Sequence, residues 1–353
     1  MASVAEQAAL ALGRLSQLGR MLPNPTLLIG PFIRREALAS SRIEGTRAEF
    51  GELVLAETSS EAKDNNPDIQ EVLNYVRALE SGWNRPPERP FSTNFMMELH
   101  QQLMDGVRGQ NKNPGRLRPM EVLIGGPNDD LVRARFVPPP AAEVRHLLDD
   151  LSAFIENPPP LPALIRLALI HYQFETIHPF EDGNGRLGRL LMPLVLGKWG
   201  LLDQPLLYLS EYFEARRDEY IDHLLAISQK GVWRDWIVFT LKAVETQPDD
   251  AVSRGHLLLE MRETLRAQYQ AGSSGKILTI IDNLFANPAI TIHQAMDVAD
   301  LGYSQAGSLI RTLQSDGVLI EATGRKRNRT FLAPAIVQAI LGETRSPVNN
   351  ESP

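Results

Sequence analysis

The stretch His178-Pro-Phe-Glu-Asp-Gly-Asn-Gly-Arg-Leu-Gly-Arg189 combines a base, two acids, three glycines and two arginines, and it lies between two apolar segments. Apolar residues recur at helical spacing from Leu164 to Ile177, which predicts a buried helix that leads to His178 and ends at Pro179. A second apolar helix is predicted from Arg186 to Trp199. The stretch should therefore form a loop that the core holds at both ends.

This loop has the composition of a phosphate-binding site. Unpaired N–H groups and the helix dipole at the N-terminus of the second helix favour an anion, and glycines let the backbone approach a phosphate closely. The residues predicted to contact phosphate are Gly183, Asn184, Gly185, Arg186 and Arg189. Asp182 is a hard carboxylate of the kind that holds Mg²⁺ together with substrate phosphates. His178 suits the removal of a proton at neutral pH, since histidine has an ordinary pKa of about 6.5.

The same stretch resembles the Fic motif, HPF-x-D/E-GNGR-x-x-R, and matches it at every defined position. The resemblance covers about Arg34 to Val238, and it implies a mainly α fold with a Fic-type helical core. It further implies that His178 is the general base that deprotonates a hydroxyl of a target protein, which then attacks the α-phosphate of ATP. Gly185 stands where the protein-kinase branch of this fold has lysine. The resemblance therefore implies transfer of AMP.

A second motif lies upstream, where a predicted helix from Arg34 to Ile43 runs into Ser40-Ser-Arg-Ile-Glu44-Gly45. This resembles the Fic inhibitory motif, S/T-x-x-x-E-G/N. The resemblance implies that Glu44 pairs with Arg189 and blocks the productive pose of the ATP γ-phosphate. The alternative is an ordinary solvated glutamate near a helix end.

Two further segments resemble parts of the Fic core. The apolar run Val122, Leu123, Ile124 and Gly125, followed by residues 134–140, resembles the β-hairpin flap that holds a target segment by strand addition. The alternative is a merely structural hairpin. A helix predicted from Ser210 to Ile227 corresponds to one that lines the adenine site, so Tyr220 and Leu224 are candidate adenine contacts. Ile221 departs from the tyrosine pair often found there, and core packing explains these positions equally well.

Composition sets the bounds on the protein class. The chain has 353 residues, 43% of them hydrophobic, and a formal net charge of -7, which argues against a nucleic-acid-binding surface over the whole protein but leaves room for a local basic patch. It has no cysteine, which excludes disulfides and cysteine-ligated zinc and is compatible with a cytoplasmic location. Neither a signal peptide nor a membrane span is predicted.

Composition also suggests a division of the chain. We predict an N-terminal helical region with the inhibitory motif (1–90), a catalytic core (91–248), a connecting helix and linker (249–275), a winged-helix domain (276–343) and a disordered tail (344–353). Three helical patterns and two strand-like segments around a basic turn resemble a winged helix, with Ser304 to Ser315 in the recognition-helix position: the helices are Lys276 to Phe285, Thr291 to Ala299 and Ser304 to Ser315, and the strands are 318–320 and 330–332. Arg311, Arg325, Lys326, Arg327 and Arg329 are candidate contacts to DNA phosphates. Winged helices also serve as protein-interaction modules, so either partner fits.

The reading as a whole is a self-inhibited protein adenylyltransferase that transfers AMP from ATP, with Mg²⁺, to a Tyr, Thr or Ser hydroxyl of a protein, including itself. One alternative is a DNA-binding regulator whose Fic core senses a nucleotide. Another is an enzyme that removes AMP, with Glu44 aligning a water molecule. The target protein is not readable from the sequence, and a homodimer is left open.

Overall fold

Helices dominate the structure, a computed structural model that describes residues 1–21, 26–58, 66–125, 133–270, 275–325 and 327–342. The mainly α fold predicted from the sequence is confirmed. The helices up to residue 270 are α1 (Ala2–Met21), α2 (Thr26–Ile43), α3 (Phe50–Thr58), α4 (Pro67–Trp83), α5 (Thr93–Leu103), α6 (Val144–Glu156), α7 (Ala163–Ile177), α8 (Asn184–Lys198), α9 (Ser210–Ala215), α10 (Arg217–Lys230) and α11 (Trp233–Gln270). No helix in the described part of the chain is long and apolar enough to cross a membrane.

Helices α7 and α8 form the centre of this core and bracket the loop at residues 178–183, as the apolar periodicity predicted. Helix α7 ends at His178, whose backbone is left-handed (φ 47°), and Pro179 cannot continue the helix. Almost every side chain of α8 is buried, because α2, α4, α5 and α7 surround it. The loop is therefore fixed by two packed helices.

Helix α2 begins earlier than the pattern from Arg34 predicted. The apolar residues from 27 to 32 are its first turns, and Pro31 is accommodated there. Leu28, Phe32 and Ile33 are buried. Helix α2 packs on α4, α8 and α9 of the core, so its last turn approaches the loop.

The predicted flap is much smaller than a hairpin in the described residues. Ile124 and Phe136 form one antiparallel bridge, with both N–H···O bonds at 3.0 Å. Residues 126–132, which would include the turn, lie outside the described residues. In the described part, flanking prolines at 138–140 limit further pairing, because proline donates no backbone hydrogen bond.

Helix α11 corrects the predicted boundary at residues 248 and 249, because it runs without a break from Trp233 to Gln270. Packing explains its continuity, since Ala251, Gly255 and Leu258 are buried along α1 and α2. A Cβ on Gly255 would lie 2.8 Å from the Leu18 side chain, so the helices approach closely. The connecting helix is thus the second half of a core helix.

The segment after residue 275 has its own small sheet. Its elements are α12 (Lys276–Ala286), β1 (Ala289–Thr291), α13 (Ile292–Ala299), α14 (Tyr303–Ser315), β2 (Ile320–Glu321), β3 (Thr330–Leu332) and α15 (Pro334–Leu341). The strands are antiparallel in the order β1-β3-β2, with Ile290 opposite Phe331 and Ile320 opposite Leu332. The three helices and the two strands around the basic turn were predicted, and the winged-helix interpretation stays a prediction. The tail predicted to be disordered, 344–353, lies outside the described residues.

Candidate active site

His178 lies at the mouth of a cavity of about 210 Å³. Its buried Nδ1 has no hydrogen-bond partner among the described residues. Burial lowers the pKa of His178 to about 4, although the backbone carbonyl of Glu175 and the carboxylate of Glu44 oppose the fall. The imidazole is therefore neutral at pH 7 and able to accept a proton.

The loop after His178 takes its shape from Asn184. The Asn184 side chain accepts a hydrogen bond from the N–H of Phe180 at 2.9 Å and donates one to the Phe180 carbonyl at 2.8 Å. Gly183 is left-handed (φ 78°), and a Cβ there would lie 2.7 Å from the sulfur of Met104. The sequence therefore needs both Asn184 and Gly183 to turn the chain sharply into α8, whose N-terminus faces the loop.

Arg186 is a buried cation with unused donors. Its Nη1 lies 3.5 Å from a carboxylate oxygen of Glu71, and its Nη2 lies 4.0 Å from Asp182. Nε and Nη1 make no hydrogen bond to any described residue. A buried guanidinium in this state is well suited to a phosphate, which would satisfy those donors.

Arg189 and Glu44 meet across 145 positions of sequence. Arg189 Nη2 lies 2.7 Å from Glu44 Oε1, and the same guanidinium donates to the Ser40 hydroxyl and carbonyl at 2.9 Å each. Burial tends to raise the pKa of Glu44, but the charge of Arg189 outweighs it and holds that pKa below its ordinary value. Glu44 is therefore ionised at neutral pH, and among the described residues it is the carboxylate that pairs with Arg189.

Gly185 accommodates this ion pair. A Cβ at Gly185 would collide with Glu44 Oε1 and would lie 2.9 Å from Arg189 Nη1. Any larger residue would have to displace the carboxylate.

Both ionisable and apolar side chains line the cavity. The ionisable ones are Glu44, Arg135, Glu175, His178, Arg189, Arg217 and Tyr220. The apolar lining comes mainly from the flap bridge and α10, with Ile124, Phe136, Ile221, Leu224 and Leu225. A cavity with both kinds of side chain suits a nucleotide, which has charged phosphates and an apolar base.

Some of the residues predicted for the flap and the adenine site line the cavity, and others do not. Of the four flap residues only Ile124 lines the cavity, and Leu123 is exposed. Leu224 is a half-buried lining residue. Tyr220 also reaches the cavity, yet it is 3% exposed and its hydroxyl lies 2.9 Å from His171 Nε2, so packing accounts for most of its surface.

Three residues that support this site were missed from the sequence. The first is Arg118, whose guanidinium donates to three carbonyls: those of His178 at 2.8 Å, Met120 at 3.1 Å and Pro139 at 2.5 Å. These bonds join the loop to both sides of the flap. His100 stacks on Phe180, accepts from the Gly115 N–H at 2.9 Å and lies 2.9 Å from the Asp182 carbonyl.

The third is Glu175, one turn before His178. Its Oε1 is buried without a hydrogen-bond partner in the described residues, and it fills the space where Gly188 has no side chain. Burial raises the pKa of Glu175 to about 7; Arg189 opposes this rise, and Glu44 adds to it. Glu175 could have been recognised from the sequence, because it is the only acid in an otherwise mainly apolar helix pattern from Leu164 to Ile177.

Asp182 is the carboxylate placed best for a cation. Its side chain is 44% exposed, Oδ1 accepts from the Gly183 N–H at 2.6 Å, and a Cβ on Gly109 would lie 2.5 Å from Oδ2. The described residues contain no cluster of three His, Cys, Asp or Glu side chains that could hold a metal alone. Mg²⁺ is usually held by one or two carboxylates plus phosphates and water, so Asp182 fits that mode.

Comparison with known proteins agrees with this geometry. The profile of the Fic/DOC family N-terminal region matches residues 2–84, and the Fic/DOC family profile matches residues 90–196, together more than half of the chain. The fold, with its loop between two buried helices, and these matches define one class: the chain belongs to the Fic/DOC family.

Curated relatives and solved structures point the same way. A probable protein adenylyltransferase of Aquifex aeolicus is 26% identical over 191 residues, which are 52% of this chain and 54% of that protein. A protein adenylyltransferase of Caenorhabditis elegans is 26% identical over 203 residues, which are 52% of this chain and 36% of that protein. The chain thus spans about half of the first relative and about a third of the second.

Two solved structures share the fold. A Fic family protein of Desulfovibrio desulfuricans has a TM-score of 0.59 at 22% identity, over 94% of this chain and 95% of that one. A fragment of Caenorhabditis elegans Fic-1 has a TM-score of 0.56 at 19% identity, over 71% of this chain and 73% of that one. At 94% coverage, the first likeness includes most of the C-terminal segment.

Proposed function

We propose that this protein transfers AMP from ATP to a Tyr, Thr or Ser hydroxyl of a protein, including itself, and that Glu44 restrains this activity. The observation that carries the proposal is that a neutral histidine, the first turn of α8 at Gly185 and the buried Arg189 line one cavity, while a second buried arginine, Arg186, lies on the same turn. The relatives named protein adenylyltransferases support it. Because the reaction consumes ATP, we propose that the protein acts in the cytoplasm.

In this proposal His178 takes the proton of the target hydroxyl as its oxygen forms a bond to the α-phosphorus. The bond from that phosphorus to the β-phosphate oxygen breaks, and pyrophosphate leaves. The N–H groups at the start of α8 and the unused donors of Arg186 stabilise the charge on the phosphates. The apolar wall at Ile221 and Leu224 takes the adenine.

Mg²⁺ belongs to the same proposal. Asp182 would hold it, and when bound it would neutralise charge on the phosphates. Arg118 and Asn184 keep the loop in its shape while this happens, since both bond to loop backbone.

Self-inhibition follows from competition for Arg189. Its guanidinium already bonds Glu44 and Ser40, so it cannot fully serve a γ-phosphate as well. Glu44 also repels the phosphate. ATP would then bind with its α-phosphate out of line for attack, and misalignment alone can suppress turnover strongly.

The C-terminal segment adds a second contact surface in this proposal, for DNA or for a protein. Its basic turn and α14 are exposed.

A homodimer would allow one molecule to modify another. Measuring the rate of self-labelling at several protein concentrations would distinguish modification within one molecule from modification between two molecules.

The test is label transfer from α-labelled ATP to total protein and to the enzyme itself. Glu44→Gly should raise transfer, Arg189→Ala should lower it even in the Glu44→Gly background, and His178→Ala in that background should lower it by roughly a hundred- to ten-thousand-fold. Glu88→Gly, at an exposed loop position away from the cavity, is the matched control and should behave as the wild type.

Undiminished transfer by the His178→Ala variant would exclude this residue as the base. If Glu44→Gly leaves transfer unchanged or lowers it under saturating ATP and Mg²⁺, the self-inhibited reading is wrong. A chase with unlabelled ATP separates faster transfer from slower removal of AMP, the alternative in which Glu44 aligns a water molecule.

A further inference from the structure

The surface of the C-terminal segment differs in charge from the rest of the chain, whose formal net charge is -7. Arg327 and Arg329 stand on the turn between β2 and β3, beside Asn328, and Arg329 lies 5.7 Å from the Phe331 ring. Arg311 is exposed on α14. Arg327 and Arg329 line one groove with the start of α14, and this concentrates positive charge locally on an acidic protein.

The outer face of α14 carries hydrogen-bonding side chains without a carboxylate. Its buried side is formed by Ala306, Ile310 and Leu313. The exposed residues on the other side are Tyr303, Ser304, Gln305, Ser308, Arg311, Thr312 and Ser315. No aspartate or glutamate occurs from Tyr303 to Ser315, which is unusual for an exposed helix of an acidic protein.

A groove of about 310 Å³ joins this helix to the basic turn. It is lined by the start of α13, the start of α14 and the turn, with His293, Tyr303, Arg327 and Arg329 among its residues. All the ionisable side chains that line it are cationic or can become so, apart from the phenol of Tyr303. The nearby acids are Asp297 and Asp300, which are exposed at the far end of α13, and Glu321 on β2, whose carboxylate interacts with Arg329.

The dimensions of this surface fit one partner. Helix α14 has 13 residues and is therefore about 20 Å long, and with side chains it is about 10–12 Å across. The major groove of B-form DNA is about 12 Å wide. Gln, Ser, Thr and Arg side chains can bond base edges, while arginines on a neighbouring turn can reach the phosphates.

We propose that α14 and the turn residues 327–329 bind double-stranded DNA, with the exposed face of α14 in the major groove and Arg327 and Arg329 on the adjacent phosphate backbone. This goes beyond AMP transfer and does not depend on it. Several side chains of α14 are exposed, so the described part of the chain leaves this face of the helix open.

The experiment measures binding of the full chain to a labelled 30-base-pair duplex of mixed sequence by fluorescence anisotropy, from about 50 to 200 mM salt. Arg327→Gln combined with Arg329→Gln is the test variant. Arg89→Gln combined with Arg234→Gln removes the same charge from exposed positions elsewhere and is the matched control.

We expect the wild type and the control to bind alike. The test variant should bind about tenfold or more weakly at about 100 mM salt, and its plot of log affinity against log salt should be shallower by about 2, one per lost phosphate contact. Self-labelling with ATP should be equal in all three proteins, which shows that the test variant is folded.

Two results would overturn the proposal. One is the absence of binding by the wild type at about 50 mM salt with protein near 100 μM, where even sequence-independent DNA binding is detectable. The other is equal loss of affinity in the control and test variants. In either case AMP transfer would be untouched, and the exposed helix would be assigned to a protein partner instead.

Discussion

At the scale of single residues, the site joins charges that the chain separates widely. Glu44 directly follows α2, Glu175 lies on α7 and Arg189 on α8, and all three line one cavity. Arg189 is bonded by Glu44, whereas Glu175 Oε1 has no hydrogen bond among the described residues. The two carboxyl groups are therefore unequal: one is held ionised by its partner, and the other is pushed towards its neutral form by burial.

This inequality predicts a pH effect for Glu175→Gln. The ordinary pKa is 4.5 and the folded pKa about 7, so the folded protein holds a proton that the unfolded chain releases. Stability from this group is fully present below pH 4.5 and is lost as the pH rises through 7. Glutamine has no such titration, so the variant should gain about 1 to 3 kcal/mol relative to the wild type between pH 5 and pH 8.

Urea unfolding at several pH values checks this difference. His100 and His178, each with a pKa lowered to about 4, and His171, lowered to about 3, act in the opposite direction, because their stabilising neutral forms are lost as the pH falls from 6.5. They are common to both proteins and cancel in the comparison. Glu143→Gln, which changes an exposed glutamate, is the control. If the free energy of unfolding of Glu175→Gln depends on pH in the same way as that of the wild type, Glu175 is not a buried acid with a raised pKa.

Residues of the motif could be predicted from the sequence because their spacing on a loop and one helix turn fixes their neighbours. Glu175 and Arg118 could not, because their partners depend on tertiary packing. Arg118 contacts a carbonyl 60 positions away, and nothing in its local sequence distinguishes it from the exposed Arg116. Contacts of this kind become visible only when the helices are packed.

At the scale of elements, Arg118 predicts how the loop and flap are held together. Its side chain is fully buried, and its guanidinium donates hydrogen bonds to three backbone carbonyls. Among the described contacts, these carbonyls have no other charged donor. Lysine keeps the charge but cannot span all three. Arg118→Lys should therefore lower the free energy of unfolding by about 2 to 4 kcal/mol.

Chemical denaturation measures this loss, and Arg116→Lys, two positions away and exposed, is its control. Equal stability of the two variants would mean that the carbonyls find other donors, and that Arg118 does not hold the flap. The test concerns positioning, so ATP affinity should fall less than the stability does.

Elements were predicted well where periodicity was strong and poorly where packing decided. Helices α7 and α8 follow from their apolar repeat, as does the start of α14. The continuity of α11 through Pro248 does not, because contacts with α1 outweigh the local break signal. The apolar residues at 122–124 suit a strand, and in the described part of the predicted flap Ile124 is the one of them that pairs, with Phe136.

At the scale of the whole molecule, α2 connects two regions. Near its start, Arg34 donates to the Ala286 carbonyl at the end of α12 at 3.2 Å and to Glu57 at 2.7 Å. A Cβ on Gly30 would lie 2.7 Å from the same Ala286 carbonyl. Glu44 follows the other end of α2. The helix that precedes Glu44 therefore also packs against the C-terminal segment.

This contact predicts the effect of Gly30→Ala. The backbone carbonyl of Ala286 cannot move as a side-chain tip would, so the variant should lose about 1 to 3 kcal/mol of stability. Gly13→Ala is the matched control, since Gly13 is also a helical glycine and has open space around it. Both changes gain helix propensity equally, so thermal unfolding of the pair isolates the clash. Stabilisation of both variants would show that α2 and α12 do not press on each other.

The close approach of Gly30 and Ala286 has a thermodynamic consequence. Residue 286 is three positions before β1, and β1 leads directly into the groove at the start of α13. If a duplex bound there shifts α12 against α2, it changes the free energy of the contact between Glu44 and Arg189, and with it the affinity for ATP. Coupling of this kind is reciprocal, so ATP must then change the affinity for the duplex by the same factor. The coupling can therefore be measured as the change in duplex affinity when ATP is added, without an assay of AMP transfer.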